Sequence, residues 1–196
     1  MQNLDLNVSQ STVYYYAREK LWGTLTNFCK QEFRKFNDPF YQFWCCYGIF
    51  REGEHNDALN KLVKLQNKRE IQYATVTAMI HYHNHSDTPD YDAVRELEQK
   101  QKKMLDLSGD KALLMAAYFH MFNDQLSEAS ILLEGLSSDS QNIMTALGWL
   151  KIFNNRIETT KEALKIFHEV LKQDQNTDIR YLEALMGETR GLELIK

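Results

Sequence analysis

The stretch NDQLSEASILLEGL, residues 123–136, decides the fold class of this 196-residue chain. After a short polar lead it carries Ala129, and four positions later the large apolar Leu133, one turn along the same helix face. Three other segments show the same small-then-large arrangement, so the pattern is a repeat. These segments are EGEHNDALNKLVKL (52–65), PDYDAVRELEQK (89–100) and ETTKEALKIFHEVL (158–171).

The spacing of the segments indicates the kind of repeat. Their alanines are separated in turn by 35, 36 and 34 residues. A period near 34 residues with this small–large pair is typical of the second helix of a tetratricopeptide repeat. We expect each alanine to be buried against the first helix of its repeat, where a larger side chain would overpack. The pairs are Ala58/Leu62, Ala93/Leu97, Ala129/Leu133 and Ala163/Phe167.

The first helix of each repeat is predicted upstream, with a small residue where the two helices cross. Large apolar side chains stand one and four positions later, on one side of the helix. This side lines the groove of such repeats, so the column predicts a site for a partner helix or an extended peptide. Closure by neighbouring repeats is the alternative, because large apolar patches are seldom left in water. The crossing residues are Cys46, Ala78, Ala117 and Gly148, and the groove column is Tyr47, Phe50, Met79, Tyr82, Tyr118, Met121, Trp149 and Ile152.

The two ends of the chain extend the pattern. Residues 11–39 resemble a degenerate first repeat, with Thr24 and Phe28 at the small and large positions. Residues 176–191 predict a sixth first helix, with Ala184 and Leu185 facing inward. We therefore predict an all-α, right-handed superhelical solenoid of about five helix hairpins plus one helix, in a single array over 1–196. The next alanine is due near residue 197, so we expect the N-terminal fragment of a longer solenoid.

Composition narrows the classes of partner and cofactor. With 43% hydrophobic residues, eight glycines and only two prolines, the chain favours helices over turn-rich β folds. A net charge of −4 without a basic stripe argues against nucleic-acid binding. The sequence contains no run of eighteen apolar residues, so we expect no direct membrane insertion. We interpret Cys29, Cys45 and Cys46 as buried, reduced core residues, and we expect no cofactor.

The stretch HYHNHSDTPDYD, residues 81–92, is the strongest candidate for chemistry. His81 and His85 would share a helix face, whereas His83 would point elsewhere. One hypothesis is a metal-dependent enzyme that uses this cluster. The other, which we favour, is a solvated helix end, because no cysteine ligand or supporting partner accompanies the histidines. We therefore predict no catalytic, cofactor-binding or metal-binding residues. Patterns such as GxGxxG and HExxH are absent from the sequence.

In this register the chain resembles the N-terminal region of the tetratricopeptide repeat protein 21 family. The resemblance covers about residues 13–190 and depends on irregular features more than on the repeat consensus. They are an aromatic-rich segment ending in Tyr-Gly, a proline-containing insertion in the third repeat, and an extended turn in the fifth. The segments are FYQFWCCYGIFREGEHNDAL (40–59), TAMIHYHNHSDTPDYDAV (77–94), GDKALLMAAYFHMFNDQLSEA (109–129) and TALGWLKIFNNRIETTKEALKIFHEVL (145–171).

The resemblance implies a non-enzymatic scaffold subunit of intraflagellar transport complex A, with no catalytic motif to carry over. Its expected roles are retrograde ciliary transport, train assembly and ciliary entry of membrane proteins. Expected partners are the other subunits of that complex and neighbouring complexes in the train, at the cilium or flagellum, the basal body and the cytoplasm. The alternative is a generic repeat adaptor of the co-chaperone or vesicle-coat type. A co-chaperone needs lysines and asparagines facing the groove, whereas the predicted groove column is aromatic and aliphatic.

Overall fold

The described residues of this computed structural model are 2–86, 88–136, 140–173 and 179–196. They contain eleven α-helices, a single 3₁₀ turn at Leu105–Leu107 and no strand, which confirms the predicted all-α repeat class and the number of helices. The helices are α1 Gln2–Arg18, α2 Trp22–Phe36, α3 Pro39–Arg51, α4 His55–Leu65, α5 Gln72–Asn84, α6 Tyr91–Met104, α7 Asp110–Phe122, α8 Leu126–Glu134, α9 Gln141–Phe153, α10 Ile157–Gln173 and α11 Ile179–Leu194.

The chain divides into two compact units. The first, here the aromatic unit, is Val13–Phe119. The second, here the two-segment unit, combines Met1–Thr12 with His120–Lys196, so the division falls inside α1 and inside α7. The prediction of a single array over 1–196 stays a prediction.

In the aromatic unit, helices adjacent in sequence pack together from α2 to α6. The most deeply buried is α3, in which every residue from Phe43 to Phe50 is buried. Its N-terminus is set by Asp38, whose side chain accepts a hydrogen bond from the Phe40 backbone N–H at 2.9 Å, and by Pro39 in the first turn. Because α3 lies against both α2 and α4, it cannot show the one-sided pattern of a surface helix.

In the two-segment unit, α9, α10 and α11 pack against one another. The Phe167 side chain of α10 is fully buried there, between glycines of α9 and α11. A buried hydrogen bond joins the first and last helices of this unit, from Ser11 Oγ to Glu183 Oε1 at 2.7 Å. A buried carboxylate is costly without such a donor, so this bond favours one alignment of α11 on α1.

Short turns set the pairing of helices within the predicted hairpins. The turns after α1, α3, α7 and α9 are each three residues long. Each contains one residue with positive φ, which lets the chain reverse direction within a few residues. This backbone conformation has a low steric cost for Gly, Asn or Asp. The positive-φ residues are Lys20, Gly53, Asp124 and Asn155.

The third repeat departs from this rule, whereas the fifth keeps the short turn and has a longer second helix. The turn between α5 and α6 spans residues 85–90, where the proline-containing insertion is predicted. Asp87 of that turn lies outside the described residues. The predicted extended turn in the fifth repeat is wrong, because only residues 154–156 separate α9 from α10. The extra residues instead lengthen the start of α10, where Ala163 is the seventh residue, whereas Ala129 is the fourth of α8.

The predicted crossing residues fall in their expected helices, with one exception in burial. Ala58, Ala129 and Ala163 have no exposed surface, but Ala93 is only half-buried, so its predicted burial is wrong. Ala93 lies in the first turn of α6, directly after the long turn, and the neighbouring Val94 is the buried residue of this helix. On the first helices, the small residues are all buried: Cys46, Ala78, Ala117 and Gly148.

The predicted register of the degenerate first repeat is wrong by one position. In α2, Thr24 is exposed and Phe28 half-buried, while Leu25 and Cys29, one position later, are fully buried. One position on a helix is a rotation of about 100°, so this small shift changes the buried face.

At the other end of the chain, α11 directs Ala184 inward but leaves Leu185 44% exposed, so the prediction that both face inward is wrong. Ala184, Gly187 and Gly191 are buried, and their spacing defines the packed face of α11 instead.

Candidate partner-binding surface

The predicted groove column is not an open groove. All eight of its side chains are 0–6% exposed, so the prediction that they contact a partner is wrong. Other side chains of the same chain cover them. This agrees with the alternative interpretation, in which neighbouring repeats close over the column. The eight residues are Tyr47, Phe50, Met79, Tyr82, Tyr118, Met121, Trp149 and Ile152.

Ring contacts show what covers the column in the aromatic unit. The Phe50 ring stacks on Tyr82 with centroids 3.8 Å apart. The Tyr118 ring stacks at 4.3 Å on Tyr14, a residue of α1. Tyr14 also meets the edge of Trp44 at 5.5 Å, so α1 supplies part of the cover. Such aromatic pairs stabilise the fold beyond the burial of their apolar area. This part of the column is therefore part of the hydrophobic core.

In the two-segment unit, Trp149 has a similar role. Its ring lies 5.9 Å from that of Phe167 and 6.3 Å from that of Phe153. Trp149 is 3% exposed and cannot receive a ligand without rearrangement of these rings. The sequence pattern correctly indicated which face of the helix is apolar. It could not show that other side chains of the same chain cover that face.

The histidine stretch is half core and half surface. His81 is buried, and its ring stacks on His85 at 4.0 Å and meets the edge of Phe119 at 5.5 Å. The expectation that both are solvated is therefore wrong for His81. His85 is exposed, and its Nδ1–H donates to the His81 carbonyl oxygen at 2.8 Å. His83 is half-buried, and no three His, Cys, Asp or Glu side chains of the described chain are placed to hold a metal ion.

The three cysteines form a group that the sequence did not reveal. Cys29 of α2 and Cys45 and Cys46 of α3 are buried free thiols. Burial raises the pKa of all three, that of Cys46 to about 12, and mutual repulsion of the thiolates adds to the effect at Cys29. They are therefore protonated and uncharged near neutral pH, which makes them poor nucleophiles.

These thiols line a cavity of about 240 Å³ between α2, α3 and α4, which we call the cysteine pocket. Phe33, Tyr41 and Leu65 complete its apolar lining, and Lys30, Lys61 and Lys64 stand around it. Because these residues come from three helices, no local sequence motif brings them together. The one signal in the sequence is that Cys29 and Cys46 occupy neighbouring repeats at predicted buried positions.

Two further titratable groups have local rather than catalytic partners. Burial lowers the pKa of His120, although a hydrogen bond between its Nδ1 and Gln125 Oε1 at 2.9 Å opposes this. Lys151 Nζ donates to Glu162 Oε2 at 2.5 Å and lowers the pKa of that exposed carboxyl. The first contact joins α7 to the turn that follows it, and the second joins α9 to α10 of the same hairpin, so both are structural. Among the described helices, none is both long and apolar enough to cross a membrane.

Paired helices recurring every 34–36 residues, with small residues at their crossings, define this chain as an α-helical repeat protein. A family model described as the tetratricopeptide repeat protein 21 N-terminal ARM repeat matches residues 13–196. The chain belongs to this family.

Similar proteins agree with this assignment. The chain is 27% identical over 195 residues to tetratricopeptide repeat protein 21B of Homo sapiens, which covers 97% of this chain and 14% of the relative. The values for the Mus musculus 21B protein are the same. Tetratricopeptide repeat protein 21A of Mus musculus is 26% identical over 163 residues, or 81% of this chain and 12% of the relative. The chain thus spans about a seventh of the length of these relatives.

Proposed function

We propose that this chain is a non-enzymatic scaffold segment of intraflagellar transport complex A. The observation that carries the proposal is the family match over residues 13–196, which includes the irregular third repeat. The family resemblance then implies roles in retrograde ciliary transport, train assembly and ciliary entry of membrane proteins. The proposed partners are other subunits of that complex and neighbouring complexes in the train, at the cilium, basal body and cytoplasm.

The physical properties of the chain are compatible with a scaffold. Stacked helix hairpins hold long surfaces in fixed positions without needing a catalytic centre. The thiols are protonated by burial, and His81 of the histidine stretch is engaged in packing. The rival co-chaperone interpretation has no support, because the predicted groove column is covered.

Localisation of the full-length protein in ciliated cells tests this proposal. We expect a tagged protein to concentrate at the basal body and along the cilium, and to purify with the other subunits of the complex. Gly148→Leu with Gly187→Leu should abolish both properties, because both side chains would collide with Phe167. The matched control is Gly109→Leu, since a Cβ atom at residue 109 would have no atom within 4 Å. A diffuse signal, together with normal cilia after deletion, would show the proposal to be wrong.

A further inference from the structure

The cysteine pocket has an apolar, uncharged interior. Its lining includes Cys29, Cys45 and Cys46, all buried, together with Phe33 and Tyr41. The thiols carry no charge near neutral pH because burial raises their pKa. An apolar side chain can enter such a space without leaving a buried charge unpaired.

The edge of the pocket is positively charged. Lys30 of α2 and Lys64 of α4 are exposed and make no hydrogen bond or ion pair within the described structure. Lys61 is paired with Asp57, one turn away on α4. No carboxylate lines the pocket in the described part of the chain. Glu32, Glu52 and Asp57 act on its thiols from outside the lining, and two of them are already paired, Glu32 with Lys35 and Asp57 with Lys61. The pocket therefore attracts negative charge next to an apolar hole.

The size of the pocket selects the kind of occupant. A volume of about 240 Å³ is smaller than the pockets of roughly 300–1,000 Å³ that enclose drug-sized molecules. It suits one large side chain, the usual anchor of a protein–protein contact. The two unpaired lysines, Lys30 and Lys64, both line the pocket and stand on different helices, α2 and α4.

We propose that the cysteine pocket binds an acidic segment of a partner protein, with one aromatic or long aliphatic side chain inserted among the three thiols. Carboxylates flanking this anchor pair with Lys30 and Lys64. The inference rests on the proposed scaffold function and deepens it, since it specifies the chemistry of one partner. Apolar burial supplies the affinity of the anchor, and the two lysines select acidic flanks.

Fluorescence anisotropy with the purified 196-residue chain tests the proposal. The probes are short fluorescein-labelled peptides with a central Phe, Trp, Leu or Met between runs of glutamate. Controls have alanine at the centre, or lysine in place of glutamate. We expect at least one glutamate-flanked probe to bind, and both kinds of control to bind at least about tenfold more weakly. If no probe binds with a Kd below about 1 mM, or if the alanine control binds equally well, the proposal is wrong.

Charge reversal locates the site. Lys30→Glu with Lys64→Glu should weaken binding by at least about tenfold. Lys102→Glu with Lys103→Glu on α6 is the matched control, because it makes the same change in net charge on exposed lysines away from the pocket. Circular dichroism checks that both variants fold. An equal loss in the two variants would show non-specific attraction and overturn the proposal, as would no loss in either.

Two more measurements test whether the peptide occupies the pocket and whether a lipid-like anion is the true ligand. Bound peptide should slow alkylation of Cys45, which is 8% exposed, and an unchanged rate would place the peptide elsewhere. Dodecanoate is the lipid-like probe, and its binding in place of every peptide would overturn the proposal. Failure of the peptide assays leaves the scaffold function standing, because ciliary localisation of the full-length protein tests that function separately.

Discussion

At the scale of single residues, the close approach of neighbouring helices depends on glycines that face a large side chain of the next helix. A Cβ atom on Gly148 would lie 2.5 Å from Phe167 Cε1, and one on Gly187 would lie 2.3 Å from Phe167 Cζ. Phe167 therefore occupies the space that two side chains on α9 and α11 would need. In the aromatic unit, Gly48 of α3 meets Thr26 of α2 in the same way. The contact between Gly148 and Phe167 was predictable, because both residues fit the repeat pattern. The contact between Gly187 and Phe167 was not, because Gly187 does not fit that pattern.

We expect Gly148→Ala and Gly187→Ala each to lower the free energy of unfolding by about 1–3 kcal/mol, because the Phe167 ring must move. The gain in helix propensity, about 0.5–1 kcal/mol, offsets only part of this loss. Urea denaturation measures the change, with Gly109→Ala as a control expected to stay within about 0.5 kcal/mol of the parent. Parent-like stability of both helix variants would mean that Phe167 has room to relax.

The thiol of Cys46 gives a prediction about pH. Its pKa is raised from the usual 9.0 to about 12, so above pH 9 the unfolded chain loses this proton while the folded chain keeps it. The free energy of unfolding should therefore fall as pH rises from 9 towards 12. Chemical denaturation at pH 8 and pH 10 tests this, and Cys46→Ala should show a smaller fall. An equal fall in the variant would assign the effect to other groups.

At the scale of elements, the position of an insertion decides whether a repeat keeps its packing. The additional residues of the fifth repeat extend α10 by nearly one turn, which leaves Ala163 fully buried. Those of the third repeat lie in the turn at 85–90, and there Ala93 is half-buried. The alanine period is similar in both cases, so the spacing alone does not distinguish an insertion in a helix from one in a turn.

We expect this difference to appear when the two alanines are enlarged. Ala129→Leu should lower the free energy of unfolding by about 1–3 kcal/mol, because Ala129 has no exposed surface. Ala93→Leu should cost less than about 1 kcal/mol, since its side chain can extend into solvent. Thermal denaturation of the two variants measures both changes. A larger loss for Ala93→Leu would contradict the burial seen at the start of α6.

At the scale of the whole molecule, burial is unevenly distributed among the helices. Every residue from Phe43 to Phe50 of α3 is buried. On α11, by contrast, Leu185 and Leu192 are exposed, and among its described side chains, 182–194, the buried residues other than Glu183 are Ala184, Gly187 and Gly191. Side chains this small bury little apolar area, so α11 has less free energy holding it in place.

Hydrogen exchange should report this difference. We expect the amides of residues 182–194 to exchange at least about tenfold faster than those of residues 43–50, because local opening of α11 exposes less apolar surface. Mass spectrometry of peptic fragments from the monomeric chain provides the measurement. Equal protection in the two segments would show that α11 opens only when the whole chain unfolds.

The sequence by itself determined the helices and their pairing, and its irregular segments carried the resemblance that identified the family. The helices and their pairing follow from local information: the spacing of a small and a large residue specifies a helix face, and its period specifies a repeat. Only the tertiary structure decided which faces stay open. The apolar column from Tyr47 to Ile152 is covered, and Cys29 meets Cys45 and Cys46 in a pocket edged by lysines. Periodicity states that a face is apolar, whereas its burial depends on side chains that come from distant parts of the chain, such as Tyr14 on Tyr118.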